Sequence, residues 1–108
     1  MTSVFDEARL AELADALGEA DLHEVAQEFA VQLRTWLDAL KQLPIEDNTA
    51  LREVGHAIGS SAAMIGALPL EQAARALELH VMGDVASLRA TLLACGEDAE
   101  RETLKRFP

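Results

Sequence analysis

Cysteine is almost absent from this chain of 108 residues, in which Cys95 is the single example. One cysteine cannot form an internal disulfide, so we predict a reducing, cytoplasmic location. Long apolar runs are also lacking, and none approaches the roughly 20 residues that a membrane span needs. The first ten residues, MTSVFDEARL, are acidic and lack the basic and then apolar pattern of a signal peptide. We therefore expect neither a membrane anchor nor export.

Positive charge is scarce as well. The chain has 9 lysines and arginines against 19 aspartates and glutamates, a formal net charge of −10. Such a chain repels phosphate backbones and anionic membrane surfaces, which argues against nucleic acid and membrane as partners. Half of the residues are apolar, enough for one modest core, and no repeat, linker or low-complexity tract interrupts them. Residues 1–108 are predicted to form a single domain.

Apolar residues recur at three- and four-residue steps along the chain, which predicts an all-α protein. The first helix should run from about Asp6 to Leu17 and end at Gly18. Asp21-Leu22-His23-Glu24 has the form of a capping box and should start the longest helix, which must end before Pro44. The apolar stripe of that helix consists of Leu22, Val25, Phe29, Leu33, Trp36, Leu37 and Leu40.

Three further helices follow at short intervals. Their expected bounds are Asp47 or Asn48 to about Gly66, Pro69 to Gly83, and a fifth helix capped by Asp84. The inward positions are Leu51, Val54, Ile58, Ser61 or Ala62, and Ile65 in the third, Leu70, Ala73, Ala74, Leu77 and Val81 in the fourth, and Val85, Leu88, Leu92, Cys95 and Ala99 in the fifth. Short connections favour antiparallel neighbours, so we predict an antiparallel up-down four-helix bundle with an additional short N-terminal helix.

The stretch VGHAIGSSAAMIGA, residues 54–67, contains three glycines, two serines and one histidine inside a predicted helix. At about 100° per residue, His56 lies about 200° from both Val54 and Ile58 and therefore faces away from the core. The residues that the wheel places on its face are Arg52, Glu53, Gly59, Ser60 and Ala63.

Glycine inside a helix costs about 0.8–1 kcal/mol relative to alanine, so Gly55 and Gly59 need a compensating contact. One interpretation is close packing against another helix of the same bundle. The other is an imidazole left accessible to a second protein, because its neighbours are too small to cover it. The residues alone leave both open.

These residues carry a family resemblance. H-A-I-G-S-S-A-A-M-I-G-A, residues 56–67, resembles the signature of histidine phosphotransfer (HPt) domains, commonly H-x-L-K-G-S-[SA]-x-x-L-G-A, in which the histidine relays a phosphoryl group. The resemblance extends over nearly all of the chain. It includes Leu10, Leu13 and Leu17-Gly18 in the opening helix, Phe29 and Leu33 in the long helix, and Leu77-Glu78 with Gly83-Asp84.

The resemblance implies a phosphorelay intermediate without autonomous catalysis. His56 would accept a phosphoryl group from a phospho-aspartate of a receiver domain and pass it to another receiver. The partners would be response-regulator receivers or a hybrid sensor histidine kinase. Mg²⁺ would belong to the receiver, so this chain needs no cofactor of its own. Gly59, Ser60 and Ala63 would let the receiver approach, and we expect a monomer.

One position departs from the family pattern. The family usually carries lysine three residues after the histidine and glycine at the fourth, where this chain has Gly59 and Ser60. Arg52, one turn before His56, could supply the missing charge, and Arg75 on the next helix is a weaker candidate. Both could equally be solvated surface residues. The missing lysine also keeps open an adaptor that binds a receiver or kinase without becoming phosphorylated.

Other candidate sites are weak. His23 and His80 are expected to be solvated or to serve helix ends, and neither has an H-x-x-x-H or C-x-x-C companion. A single Glu53-x-x-His56 pair is too little for a di-metal bundle, so no metal site is predicted. Ser60 and Ser61 lack a positioned base and an oxyanion-hole turn. Trp36 and Cys95 are expected in the core.

Overall fold

The computed structural model describes residues 3–80 and 83–108, and these residues form five α-helices and no strand. The helices are α1 (Glu7–Leu17), α2 (Glu19–Gln42), α3 (Asn48–Ile65), α4 (Leu68–Leu79) and α5 (Val85–Arg106). The all-α prediction is therefore confirmed. None of the helices in this described part of the chain is both long and apolar enough to cross a membrane.

Aspartate caps begin three of the helices. The side chain of Asp6 accepts the Ala8 backbone N–H at the start of α1, and Asp47 accepts that of Ala50 at the start of α3. Asp84 accepts the Ser87 N–H in the same way at the start of α5. Each carboxylate satisfies one of the unpaired N–H groups of a first turn. The sequence predicted all three of these starts.

The predicted capping box at the start of α2 is wrong. The helix begins at Glu19, two residues earlier, and Asp21 lies inside its first turn. Gly18 has φ +83° and serves both as the last cap of α1 and as the first cap of α2, without a side-chain hydrogen bond. Gly18 alone makes the turn between the two helices. Asp21 is therefore already helical and cannot serve as the N-cap residue of α2.

The end of α4 also differs from the prediction. The helix begins at Leu68, with Pro69 in its first turn as expected, but ends at Leu79 rather than Gly83. His80 has an extended backbone, with φ −63° and ψ 137°, which stops the helical hydrogen-bond ladder. The prediction that Val81 is buried falls on a residue outside the described part of the chain.

The core lies between α2, α3, α4 and α5, each of which contacts two of the others in a ring, while α1 packs against α2 and α3. Most predicted core positions are buried, but several are only half-buried at its margin, namely Val25, Trp36, Val54, Ser61, Val85, Leu88 and Cys95. Ala26 and Ala30 are buried although the stripe did not include them. Alanine carries too little apolar surface to mark a core position in the sequence.

Among the described residues, α3 and α4 make the most extensive contact between two helices. A Cβ atom at Gly55 would lie 3.1 Å from the Ala74 carbonyl oxygen and 3.3 Å from the Glu78 nitrogen. Gly55 therefore admits the backbone of α4, as the first interpretation of the glycines expected. This close approach brings the side chains near the end of α4 over the exposed face of α3.

Candidate functional site

His56 lies in the middle of α3 and points into solvent, with 64% of its side chain exposed. Gly55 and Ile58 of the same helix are buried, so α3 directs these residues into the protein and the imidazole of His56 towards solvent. The predicted orientation of His56 is confirmed.

Glu78 of α4 contacts this imidazole. Its Oε2 lies 2.6 Å from Nδ1 of His56, and its own side chain is only one-fifth exposed. The contact joins residues 22 positions apart. In the sequence, Glu78 belongs only to the Leu77-Glu78 pair of the family resemblance, which indicates no role for it at the site. The signal that could have found it is the glycine at position 55 inside a helix, because such a glycine indicates where the backbone of another helix comes close.

Arg75 completes a short chain of hydrogen bonds through Glu78. Its Nη1 donates to Oε1 of Glu78 at 2.7 Å, so the two carboxylate oxygens bond to different partners. The same guanidinium covers Gly59, where a Cβ atom would lie 3.0 Å from both Cζ and Nη1 of Arg75. Gly59 is therefore buried beneath Arg75, and its predicted place on the open face beside His56 is wrong. A wheel of α3 alone could not include a side chain reaching over from α4.

The remaining predicted site residues are Ser60 and Ala63, which lie on α3, and Arg52, which reaches the end of α4. Ser60 is exposed and Ala63 is half-buried on α3. The Nη2 atom of Arg52 donates to the His80 carbonyl oxygen at 2.8 Å, which satisfies a carbonyl just after α4 ends. A shallow depression beside the imidazole is lined by Arg52, Glu53, His56, Glu78 and Leu79.

The charge of Glu78 fixes the hydrogen-bond roles of the imidazole. The hydrogen bond from Arg75, and after it the one from His56, lowers the pKa of the Glu78 carboxyl below its ordinary value of 4.5. At neutral pH the carboxylate is ionised and can only accept hydrogen bonds. Nδ1 of His56 must therefore carry a proton and donate it, which directs Nε2 away from Glu78.

This lowered pKa predicts a pH dependence of stability. A carboxyl group with a depressed pKa stabilises the fold above its unfolded-state pKa and loses that contribution as pH falls through its folded-state pKa. Between about pH 5 and pH 3, the wild-type unfolding free energy should therefore fall more steeply than that of Glu78→Gln. Chemical denaturation at several pH values measures both slopes. Glu53→Gln, at an exposed site on α3, is the matched control, and equal slopes for wild type and Glu78→Gln would refute the prediction.

Other titratable groups lie apart from this site. Nε2 of His23 is 2.6 Å from the Pro108 oxygen, and Nδ1 of His80 is 2.5 Å from the Leu77 carbonyl oxygen at the end of α4. Burial, and secondarily the charge of Asp98, raises the pKa of the Cys95 thiol, which disfavours a reactive thiolate. Within residues 3–80 and 83–108, no three His, Cys, Asp or Glu side chains form a group that could hold a metal ion.

Comparison with known proteins places these features in one family. No curated protein and no solved structure matches the chain. The family model described as "Hpt domain" matches residues 24–106, which include His56, Glu78 and Arg75 and make up well over half of the chain. The five helices agree with that assignment. The chain therefore belongs to the Hpt domain family, whose members act as phosphocarriers in phosphorelays.

Proposed function

We propose that His56 accepts a phosphoryl group on Nε2 from the phospho-aspartate of a receiver domain and passes it to the aspartate of another receiver. The observation that carries this proposal is the pairing of an exposed imidazole with Glu78, whose carboxylate holds Nδ1 at 2.6 Å. When Nδ1 donates to Glu78, the neutral form of the imidazole has the Nε2 lone pair free, which phosphoryl transfer requires. Membership of the Hpt family supports the same reaction.

The transfer balances without any group from another part of this chain. The Nε2 lone pair forms the N–P bond while the P–O bond of the phospho-aspartate breaks, and the receiver aspartate leaves as a carboxylate. The Nδ1 proton stays on the ring, which becomes a phospho-imidazolium. Glu78 then faces a positive ring and stabilises it, as a carboxylate stabilises the imidazolium of a catalytic triad. In the reverse step the N–P bond breaks and the neutral ring returns.

The receiver supplies the rest of the chemistry in this proposal. Its Mg²⁺ and acidic pocket position the phosphoryl group, so the chain acts as a phosphocarrier and not as an autonomous enzyme. Leu79 is 70% exposed beside the imidazole and offers an apolar contact for a docked receiver. Arg52 and Ser60 would border the docked surface on α3, with Ala63 at its margin, while Gly59 contributes indirectly by leaving room for Arg75.

The finer architecture belongs to the same proposal. We expect α2 to α5 to alternate in direction as an antiparallel up-down four-helix bundle, and residues 1–108 to form one domain that acts as a monomer in the cytoplasm. The ring of contacts among these four helices supports the bundle.

The test is direct phosphorylation of the purified chain. Potassium phosphoramidate and a set of Mg²⁺-loaded, phosphorylated receivers serve as donors, and intact mass spectrometry detects the adduct. Wild type should gain one acid-labile, base-stable phosphoryl group, whereas His56→Gln should gain none. His23→Gln and His80→Gln are matched controls that should behave as wild type.

Two results would contradict the proposal. Modification that persists in His56→Gln would move the acceptor to another residue. Receivers that bind wild type without transferring a phosphoryl group, together with no adduct from phosphoramidate, would favour an adaptor.

A further inference from the structure

Arg75 is linked to His56 through Glu78. The guanidinium binds one oxygen of Glu78, and the other oxygen of the same carboxylate binds the imidazole. Two partners on two oxygens hold the carboxylate in one orientation, because it cannot rotate without losing one of its charge-assisted hydrogen bonds. The position of the Nδ1 acceptor therefore depends on Arg75.

Gly59 creates the space for this guanidinium. Any side chain at position 59 would begin with a Cβ atom 3.0 Å from Cζ and 3.2 Å from Nε of Arg75, tighter than most Cβ contacts in proteins, so the guanidinium would have to shift. Arg75 lies on α4, yet its charged end reaches α3 one turn after His56. Gly59 of α3 has no side chain, and the guanidinium of Arg75 from α4 thus occupies the space that a side chain there would take.

Arg52 is differently engaged. Its guanidinium donates to the His80 carbonyl oxygen, so it is used at the end of α4 rather than on Glu78. The sequence ranked Arg52 above Arg75 because the i, i+4 spacing on one helix is visible without a structure. The contacts reverse that order.

We propose that Arg75 is the positioning residue of the His56 site, that it acts through Glu78, and that Gly59 is the gap that admits it. This inference rests on the proposed function of His56. Arg75 fixes the carboxylate that keeps Nδ1 protonated, and it places a positive charge one turn from the nitrogen that takes the dianionic phosphoryl group. The usual lysine at position 59 is replaced by an arginine from the neighbouring helix.

The experiment compares five variants with wild type. Arg75→Gln removes the cation, Arg75→Lys keeps a positive charge, and Gly59→Lys combined with Arg75→Gln moves the cation from α4 to α3. Arg52→Gln removes the other candidate cation. Arg101→Gln is the matched control, because Arg101 forms an exposed i, i+3 pair with Asp98 on α5 and lies in no proposed site. Circular dichroism and thermal unfolding establish that every variant folds before it is assayed.

Two readouts separate a positioning role from a structural one. The first is the phosphorylation rate of His56 with phosphoramidate and the lifetime of the product. Arg75→Gln should lower both about tenfold, Arg75→Lys and the double variant should recover most of the loss, and Arg101→Gln should stay within about twofold of wild type. The second is ¹³C NMR titration of the Glu78 carboxyl, in which Arg75→Gln should raise its pKa towards 4.5.

The titration of the Glu78 carboxyl needs no phosphorylation. It therefore tests the positioning role of Arg75 separately from the proposed phosphorylation of His56. A wild-type chain that takes no phosphoryl group contradicts the proposed function, and the carboxyl titration then decides whether Arg75 controls Glu78. A Glu78 pKa unchanged in Arg75→Gln overturns the inference. So does an unchanged rate and lifetime in a folded Arg75→Gln protein, or a tenfold loss in Arg52→Gln with none in Arg75→Gln.

Discussion

Replacing Gly55 with valine should lower the free energy of unfolding by about 2–3 kcal/mol and separate Glu78 from His56. The new side chain would begin 3.1 Å from the Ala74 carbonyl oxygen, and the rest of it would extend into the backbone of α4. Backbone atoms cannot rotate aside as a side chain can, so α3 and α4 must move apart. The small gain in helix propensity over glycine offsets only part of this cost. Urea denaturation measures the stability.

The same variant carries a functional prediction. Because Glu78 follows Ala74 by one turn of α4, a displaced α4 carries the carboxylate away from Nδ1. NMR of the His56 side chain should therefore show the loss of the hydrogen-bonded Nδ1 proton. Glu53→Val introduces the same residue at an exposed position of α3 and should keep both stability and the hydrogen bond. A Gly55→Val protein as stable as Glu53→Val, with the Nδ1 proton retained, would show that the interhelical approach is not tight.

Leu37→Ala should cost about 3–4 kcal/mol of stability, since Leu37 of α2 is fully buried between α2 and α5. Its methyl groups lie against Gly96, where a Cβ atom would come within 2.5 Å of Cδ2 and 2.9 Å of Cδ1. Gly96→Ala alone should therefore destabilise the fold by about 1–2 kcal/mol through overpacking.

The double variant tests the contact itself. In Leu37→Ala with Gly96→Ala, the new Cβ atom enters space that the leucine has vacated, so the combined loss should be smaller than the sum by about 1–2 kcal/mol. Val31→Ala, at a position on α2 that is 69% exposed, should change stability by less than about 0.5 kcal/mol. Strict additivity of the two core substitutions would contradict the predicted packing of α2 on α5.

The helices could be predicted from the sequence because apolar spacing and capping residues are local signals. The spacing of apolar residues indicated the helices, and Asp47 and Asp84 marked two starts through hydrogen bonds within one turn. The predicted helix bounds were wrong where another residue ended or began the helix before the expected signal. Asp21 fits a capping box, but Gly18 completes the turn before that residue is reached. The extended backbone at His80 ends α4 without a glycine or proline at that residue.

The site was harder to predict because it combines two helices. The outward direction of His56 follows from the wheel of α3 alone, and the signature resemblance pointed to the same residue. Glu78 and Arg75 reach it only because α4 packs closely on Gly55, a contact between residues far apart in the chain. Gly59 was assigned to the open face for the same reason. A wheel describes one helix and omits whatever covers it.

The measurement that tests the account most directly is NMR of the phosphorylated chain. Long-range ¹H–¹⁵N spectra with ³¹P detection identify which histidine carries the phosphoryl group and through which nitrogen. Because Glu78 holds Nδ1 of His56 at 2.6 Å, the account predicts a single adduct on Nε2 of that residue. A phosphoryl group on Nδ1, or on His23 or His80 with His56 unmodified, would contradict it.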